Sequence, residues 1–151
     1  MRNIRDIFYS IILVFSLLIL GACSDNVESS SIDKNVVTNE YLDFMIDVVS
    51  RYEDLAITVS ENIDNPEKIK EEAESYIDLN FTNRVYPTTQ AEEEIDDYLL
   101  DFLNDSETSA KYHIEYGDSE DMFYLELASE YDSSATDNLE KAMAIMKKYE
   151  E

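Results

Sequence analysis

Between Val36 and Glu151 only three residues punctuate the backbone, Pro66, Pro87 and Gly117. An all-β chain of this length needs Gly- or Pro-rich turns roughly every ten residues. Three interruptions instead divide the chain into four long segments, for which helices are the economical solution. Hydrophobic spacing supports the same conclusion. Tyr41, Met45, Val48, Tyr52, Leu55 and Val59 alternate gaps of four and three, the spacing of a helical seam. Phe44, Val49, Ala56 and Ile63 widen it into a core-facing stripe. This first helix is expected to end between Asn62 and Asn65.

Pro66 suits the first position of a second helix, with Asp64 or Asn65 as its cap. Its apolar side is Ile69, Ala73, Tyr76, Ile77 and Phe81, and it must end before Tyr86-Pro87 because the residue before a proline disfavours the α conformation. Thr89 to Glu92 has the S/T-x-x-E pattern of a capping box, and Glu92, Glu93 and Glu94 suit the positive end of a helix dipole. Ile95, Leu99, Phe102 and Leu103 carry the third stripe, which weakens through Ser106, Ser109, Ala110, His113 and Tyr116 up to Gly117. Asp118 or Ser119 can cap a fourth helix. There Met122, Leu125, Ser129, Asp132, Thr136, Leu139, Met143 and Met146 keep helical spacing, with a kink or loop expected at the polar Asp132-Ser133-Ser134, and Lys147 and Lys148 suit its C-terminus. The expected architecture is all-α, an antiparallel bundle of about four helices. The alternative is α+β. Tyr112, Ile114 and Tyr116, then Phe123, Leu125 and Leu127, alternate with polar residues or tyrosine about Gly117, so residues 111–128 also read as a β-hairpin.

The N-terminus has a different character. Arg2 and Arg5 precede an apolar run of 14 residues, Ile7 to Leu20. A membrane-spanning helix needs about 20, so the run reads as the core of an export signal. Leu20-Gly21-Ala22-Cys23 follows, and Cys23 is the only cysteine. This tetrapeptide resembles the lipobox of bacterial lipoproteins. The resemblance implies cleavage between Ala22 and Cys23 and a diacylglycerol on the Cys23 sulfur, with no other cofactor. Residues 1–22 are then the signal peptide, 23–35 a lipidated flexible tether, and 36–151 an acidic helical domain. Ser24 to Asn35 spans roughly 40 Å fully extended and about 19 Å as a flexible coil. The layout of anchor, short tether and small acidic bundle resembles small lipoproteins of low-GC Gram-positive bacteria. It implies attachment to the extracytoplasmic face of the cell membrane.

Charge narrows the partners. The chain carries 11 basic and 35 acidic residues, and loss of Arg2, Arg5 and Asp6 with the leader leaves 9 and 34, a net −25 over 129 residues. No basic patch exists to displace counterions from phosphates, which argues against nucleic acid. Anionic headgroups are repelled as well, so the lipid alone is expected to touch the bilayer. Cationic peptides, basic protein surfaces and divalent cations are favoured in encounter. Ten tyrosines in the cleaved chain, with many Ile, Leu and Val, exceed what a disordered acidic tail carries.

Two acidic rows are candidate binding faces. Asp97, Asp101 and Asp105 are four residues apart, and Glu67, Glu71, Glu74 and Asp78 follow gaps of four, three and four. Each row lies along one side of a helix, as a docking face for a cationic peptide or as an ordinary solvated face. Like charges at this spacing repel. No calcium-loop pattern occurs. His113 is the only histidine, too few for a transition-metal site, and reads either as a helix-end residue favoured by the dipole or as a partner of Glu115 or Asp118. Catalytic residues are not expected, since no nucleophile elbow or phosphate-cradling glycine loop is present. Tyr41, Tyr52, Tyr76, Tyr98, Tyr112, Tyr116, Tyr124, Tyr131 and Tyr149 lie on or beside the apolar stripes, as core-edge residues or, if gathered on one surface, as a recognition patch. The expected function is a membrane-tethered, non-enzymatic binding module that sequesters a cationic peptide or protein, of the immunity or exclusion type. The alternative is an accessory subunit of a membrane transport or cell-wall complex.

Overall fold

A computed structural model describes residues 35–80 and 84–149. The segment expected to be an export signal, Ala22, Cys23, most of the expected tether and Phe81 lie outside these residues. Four helices follow in order: α1 (Asn39–Glu61), α2 (Pro66–Asn80), α3 (Gln90–Ser119) and α4 (Met122–Tyr149). No strand occurs among the described residues. The β-hairpin alternative for 111–128 is therefore overturned, because this stretch supplies the end of α3 and the start of α4. Alternation at Tyr112, Ile114 and Tyr116 arises because Tyr116 faces the core while Tyr112 and Ile114 lie half-buried on either side of it.

The helices run up, down, up and down. Thr38, at the start of α1, bonds Glu92 at the start of α3. Tyr116, near the end of α3, donates to the Ile63 carbonyl just after α1. Lys148 of α4 returns to Glu94, 3.2 Å away. Only Glu120 and Asp121 separate α3 from α4, so the two form a tight αα-hairpin. Glu120 takes the left-handed conformation (φ 57°) and its N–H closes on the Tyr116 carbonyl.

Seam residues explain how the helices pack. Small side chains on α3 (Ser106, Ser109, Ala110) and on α4 (Ala128, Ala135, Ala142) are buried, and these two helices share the most extensive backbone approach. α1 instead reaches α3 through large rings. Tyr52 meets Phe102 edge-on at 5.3 Å between centroids and Tyr76 of α2 at 6.0 Å. The α1 seam from Tyr41 to Val59 is buried throughout, as its spacing predicts. Ile63 departs from it, 40% exposed beyond the helix end.

Three boundaries differ from expectation. α3 continues through Gly117 to Ser119 rather than stopping there. The glycine serves a close approach: a Cβ would collide with Lys70 Cβ and lie 3.0 Å from the Pro66 carbonyl oxygen. Asp121, rather than Asp118 or Ser119, accepts from the first turn of α4, through Phe123 N. Finally, α4 has no break at Asp132-Ser133-Ser134. Its polar residues are satisfied across the hairpin: Asp132 accepts from Ser109, and Ser134 donates to Asp105.

Candidate functional site

The two acidic rows present unequal surfaces. Glu67, Glu71, Glu74 and Asp78 are exposed on α2, with Lys70 set among them, 3.9 Å from Glu74 and 2.6 Å from Asp118. Asp97 and Asp101 are likewise exposed on α3. Asp105 turns away from that row. It is half-buried and accepts from Ser134 Oγ at 2.7 Å and Asn138 Nδ2 at 3.1 Å, both on α4. Among the described residues, no group of three or more His, Cys, Asp and Glu is placed to hold a metal ion.

Three further carboxylates lie inside the bundle. Glu92 is fully buried and accepts from five donors: Thr38 N and Oγ1, Thr88 N and Oγ1, and Thr89 N, at 2.5 to 3.1 Å. Thr38 caps α1 and Thr89 caps α3, so one carboxylate closes two helix N-termini. Burial pushes its pKa up, but the bonds from Thr38 and Thr88 outweigh that and hold it below the ordinary carboxylate value. Beside it, Asp96 accepts from Tyr41 OH at 3.0 Å and Arg84 at 2.9 Å.

A second polar station occupies the middle of the bundle. Asp132 Oδ1 accepts from Tyr52 OH at 2.7 Å and Ser109 Oγ at 2.6 Å, while Oδ2 faces His113 Nε2 at 3.7 Å. Tyr76 OH donates to Ser106 Oγ at 2.7 Å one turn away on α3. His113 thus belongs to Asp132 rather than to Glu115 or Asp118, because it points into the core and they point out. Its Nδ1 is buried without a hydrogen-bond partner among the described residues. Ser109, His113 and Asp132 together do not form a nucleophilic triad, since the serine donates to the aspartate and the histidine activates neither. Burial, then the neighbouring Asp132, push the Tyr52 phenol well above its ordinary value, and burial and Asp96 do the same for Tyr41. Phenols held in that state are hydrogen-bond donors.

Seven of the tyrosines fall into two groups, while Tyr86, Tyr98 and Tyr149 lie apart, each beside a cation (Arg84, Lys141 and Lys148). Tyr41, Tyr52, Tyr76 and Tyr116 are buried, with their hydroxyls bonded inside the bundle. Tyr112, Tyr124 and Tyr131 are half-buried and gather on one edge of the α3–α4 hairpin. Tyr112 stacks on Tyr124 at 6.4 Å and lies 5.6 Å from Tyr131, and Phe123 meets Tyr124 edge-on at 5.8 Å. Four rings from two helices therefore form a continuous row. At its upper end Met122 and Phe123 are 54% and 55% exposed. Helical periodicity placed the three tyrosines on or beside the stripes, whereas Met122, read as the head of the α4 stripe, is exposed at the helix start. The union of the rings across the hairpin depends on the register between α3 and α4, which no single-helix pattern encodes.

Comparison with protein-family models, with curated proteins and with solved structures finds nothing that matches this chain. Among the described residues, no helix is long and apolar enough to cross a membrane.

Proposed function

We propose that this chain is an extracytoplasmic lipoprotein, held to the cell membrane through a diacylglycerol on Cys23, whose helical domain is a non-enzymatic binding module for a cationic peptide or basic protein surface. An immunity or exclusion role, sequestering such a ligand at the cell surface, is its most concrete form. The observation that carries this reading is the unneutralised carboxylate surface. The chain has a formal net charge of −24. Five of its cations, Arg51, Lys70, Arg84, Lys111 and Lys148, already lie within 4 Å of a carboxylate. A field of one sign raises the encounter rate of an opposite charge, and tethering concentrates the module at the surface that a membrane-active cation attacks.

The lipidated protein in neutral phosphatidylcholine nanodiscs should bind fluorescent Lys- or Arg-rich peptides at low ionic strength, with affinity falling steeply as salt is added. If none of a panel of such peptides binds at low salt, the reading fails. The anchor is tested separately: Cys23→Ala should move the protein from the membrane fraction to the soluble one. The exposed Met122 and Phe123 favour a second reading, an accessory subunit of a membrane transport or cell-wall complex. Its signature would be a protein partner captured in crosslinked membranes with affinity indifferent to salt.

A further inference from the structure

We infer that the ring row Phe123–Tyr124–Tyr112–Tyr131 on the α3–α4 hairpin is the surface on which a Lys- or Arg-bearing peptide docks. This inference rests on the binding-module reading above and assigns it a place. Three observations carry it. First, the rings are held in a fixed mutual geometry by two helices, so they offer aromatic contact area at little entropic cost. Secondly, the stretch 112–131 contains Glu115, Asp118, Glu120, Asp121, Glu126 and Glu130, all exposed, and neither lysine nor arginine. Of these, Asp118 is engaged by Lys70. Periodicity puts Phe123 and Glu130 two turns apart on the outer side of α4, with Leu127 between them and the tyrosines. A ring face attracts a cation through its quadrupole, and flanking carboxylates attract the same charge. Few other ligands use both.

Thirdly, the row lies at the right end of the molecule. Thr38, the first capping residue after the tether, touches Glu92, and Tyr112 lies twenty residues further along α3. At 1.5 Å per residue the row stands about 30 Å from the tethered end. A bilayer surface is disfavoured as the occupant by the repulsion of anionic headgroups. A second copy of this chain is disfavoured too, because it brings the same negative charge to the contact.

The test uses the full lipidated protein in phosphatidylcholine nanodiscs and a fluorescein-labelled oligo-arginine peptide carrying one photo-crosslinker. Crosslinks mapped by mass spectrometry should fall within 112–131. The double variant Phe123→Ala/Tyr124→Ala should weaken Kd about tenfold, since each exposed cation–π contact is worth roughly 0.5–1 kcal/mol. Asp43→Asn/Asp54→Asn, exposed on α1 outside both candidate rows, should weaken it by about twofold or less and serves as the charge control. Helicity and melting temperature are recorded for both variants, and the crosslink map of the unaltered protein stands even if the aromatic variant is destabilised. Peptide that binds but crosslinks to the α2 row Glu67–Asp78 overturns the ring row while leaving the binding-module reading intact. Self-association through the row, seen by sedimentation and abolished in the aromatic variant, overturns it likewise. Absence of any binding at low salt overturns both.

Discussion

Two carboxylates inside the bundle, the buried Glu92 and the partly buried Asp132, are stabilised by different means. Glu92 takes five bonds, three of them from backbone N–H groups at two helix N-termini, and its neighbour Asp96 has Arg84 as a counter-charge. Asp132 has two hydroxyl donors from two other helices, Tyr52 on α1 and Ser109 on α3, with His113 beyond hydrogen-bond length. The first station is mainly local, built from caps that α1 and α3 would need anyway. The second exists only when three helices are docked. A buried charge is costly unless its lone pairs are filled. The Glu92 station therefore fixes where α1 begins relative to α3, and the Asp132 station fixes the rotation of α1 over the hairpin.

The comparison is broken most severely at Glu92. Glu92→Ala strands five donors, two hydroxyls and three backbone groups, and should destabilise by about 4 kcal/mol, read from urea denaturation followed by circular dichroism. Because the folded carboxyl is held below its ordinary 4.5, the stability it adds is full above that pH and is lost as pH falls through the lowered value. Glu92→Gln should remove this part of the acid limb, so an unchanged acid profile would count against the five-bond cradle. Asp132→Ala comes next, at about 3 kcal/mol, because it leaves the Tyr52 and Ser109 hydroxyls buried and unpaired.

The tyrosines give a finer contrast between the stations. Tyr52→Phe should cost about 1.5 kcal/mol, since Asp132 then keeps only Ser109, whereas Tyr41→Phe should cost about 0.5 kcal/mol, since Arg84 still holds Asp96. Equal costs would mean that Arg84 does not compensate Asp96. Both phenols stay protonated in the folded protein, so their contribution is present below the ordinary 10.0 and declines as pH rises above it. Alkaline unfolding should be milder in Tyr52→Phe relative to its own neutral stability. The smallest effect belongs to the exposed row. Asp97→Asn/Asp101→Asn should shift stability by less than about 0.5 kcal/mol, in the stabilising direction, by relieving repulsion one turn apart.

The fold was largely legible because helical periodicity is a local property. The α1 seam, Pro66 at the head of α2 and the Thr89–Glu92 capping box all appear where their spacing requires. The Gly117 and Asp132 regions misled for one shared reason. A glycine or a polar run reads as a break when judged along its own helix, but Gly117 admits Lys70 and Asp132 meets Tyr52 and Ser109. A usable signal was present in the seam positions themselves. Ser106, Ser109 and His113 on α3 and Asp132 and Thr136 on α4 are polar in phase with apolar stripes, and two such runs on adjacent helices call for each other.

The sequence by itself favoured an all-α chain of about four helices over an α+β alternative, and determined a strong net negative charge and one capping carboxylate at Glu92, because periodicity, charge and caps act within a turn or two. Only the tertiary structure decided that Glu92 also closes α1, that Asp105 turns inward while Asp97 and Asp101 do not, and that four rings meet on the hairpin edge. Those outcomes depend on inter-helix register, and small residues such as Ala128 and Ala135 permit the α3–α4 approach without naming which residues will face each other.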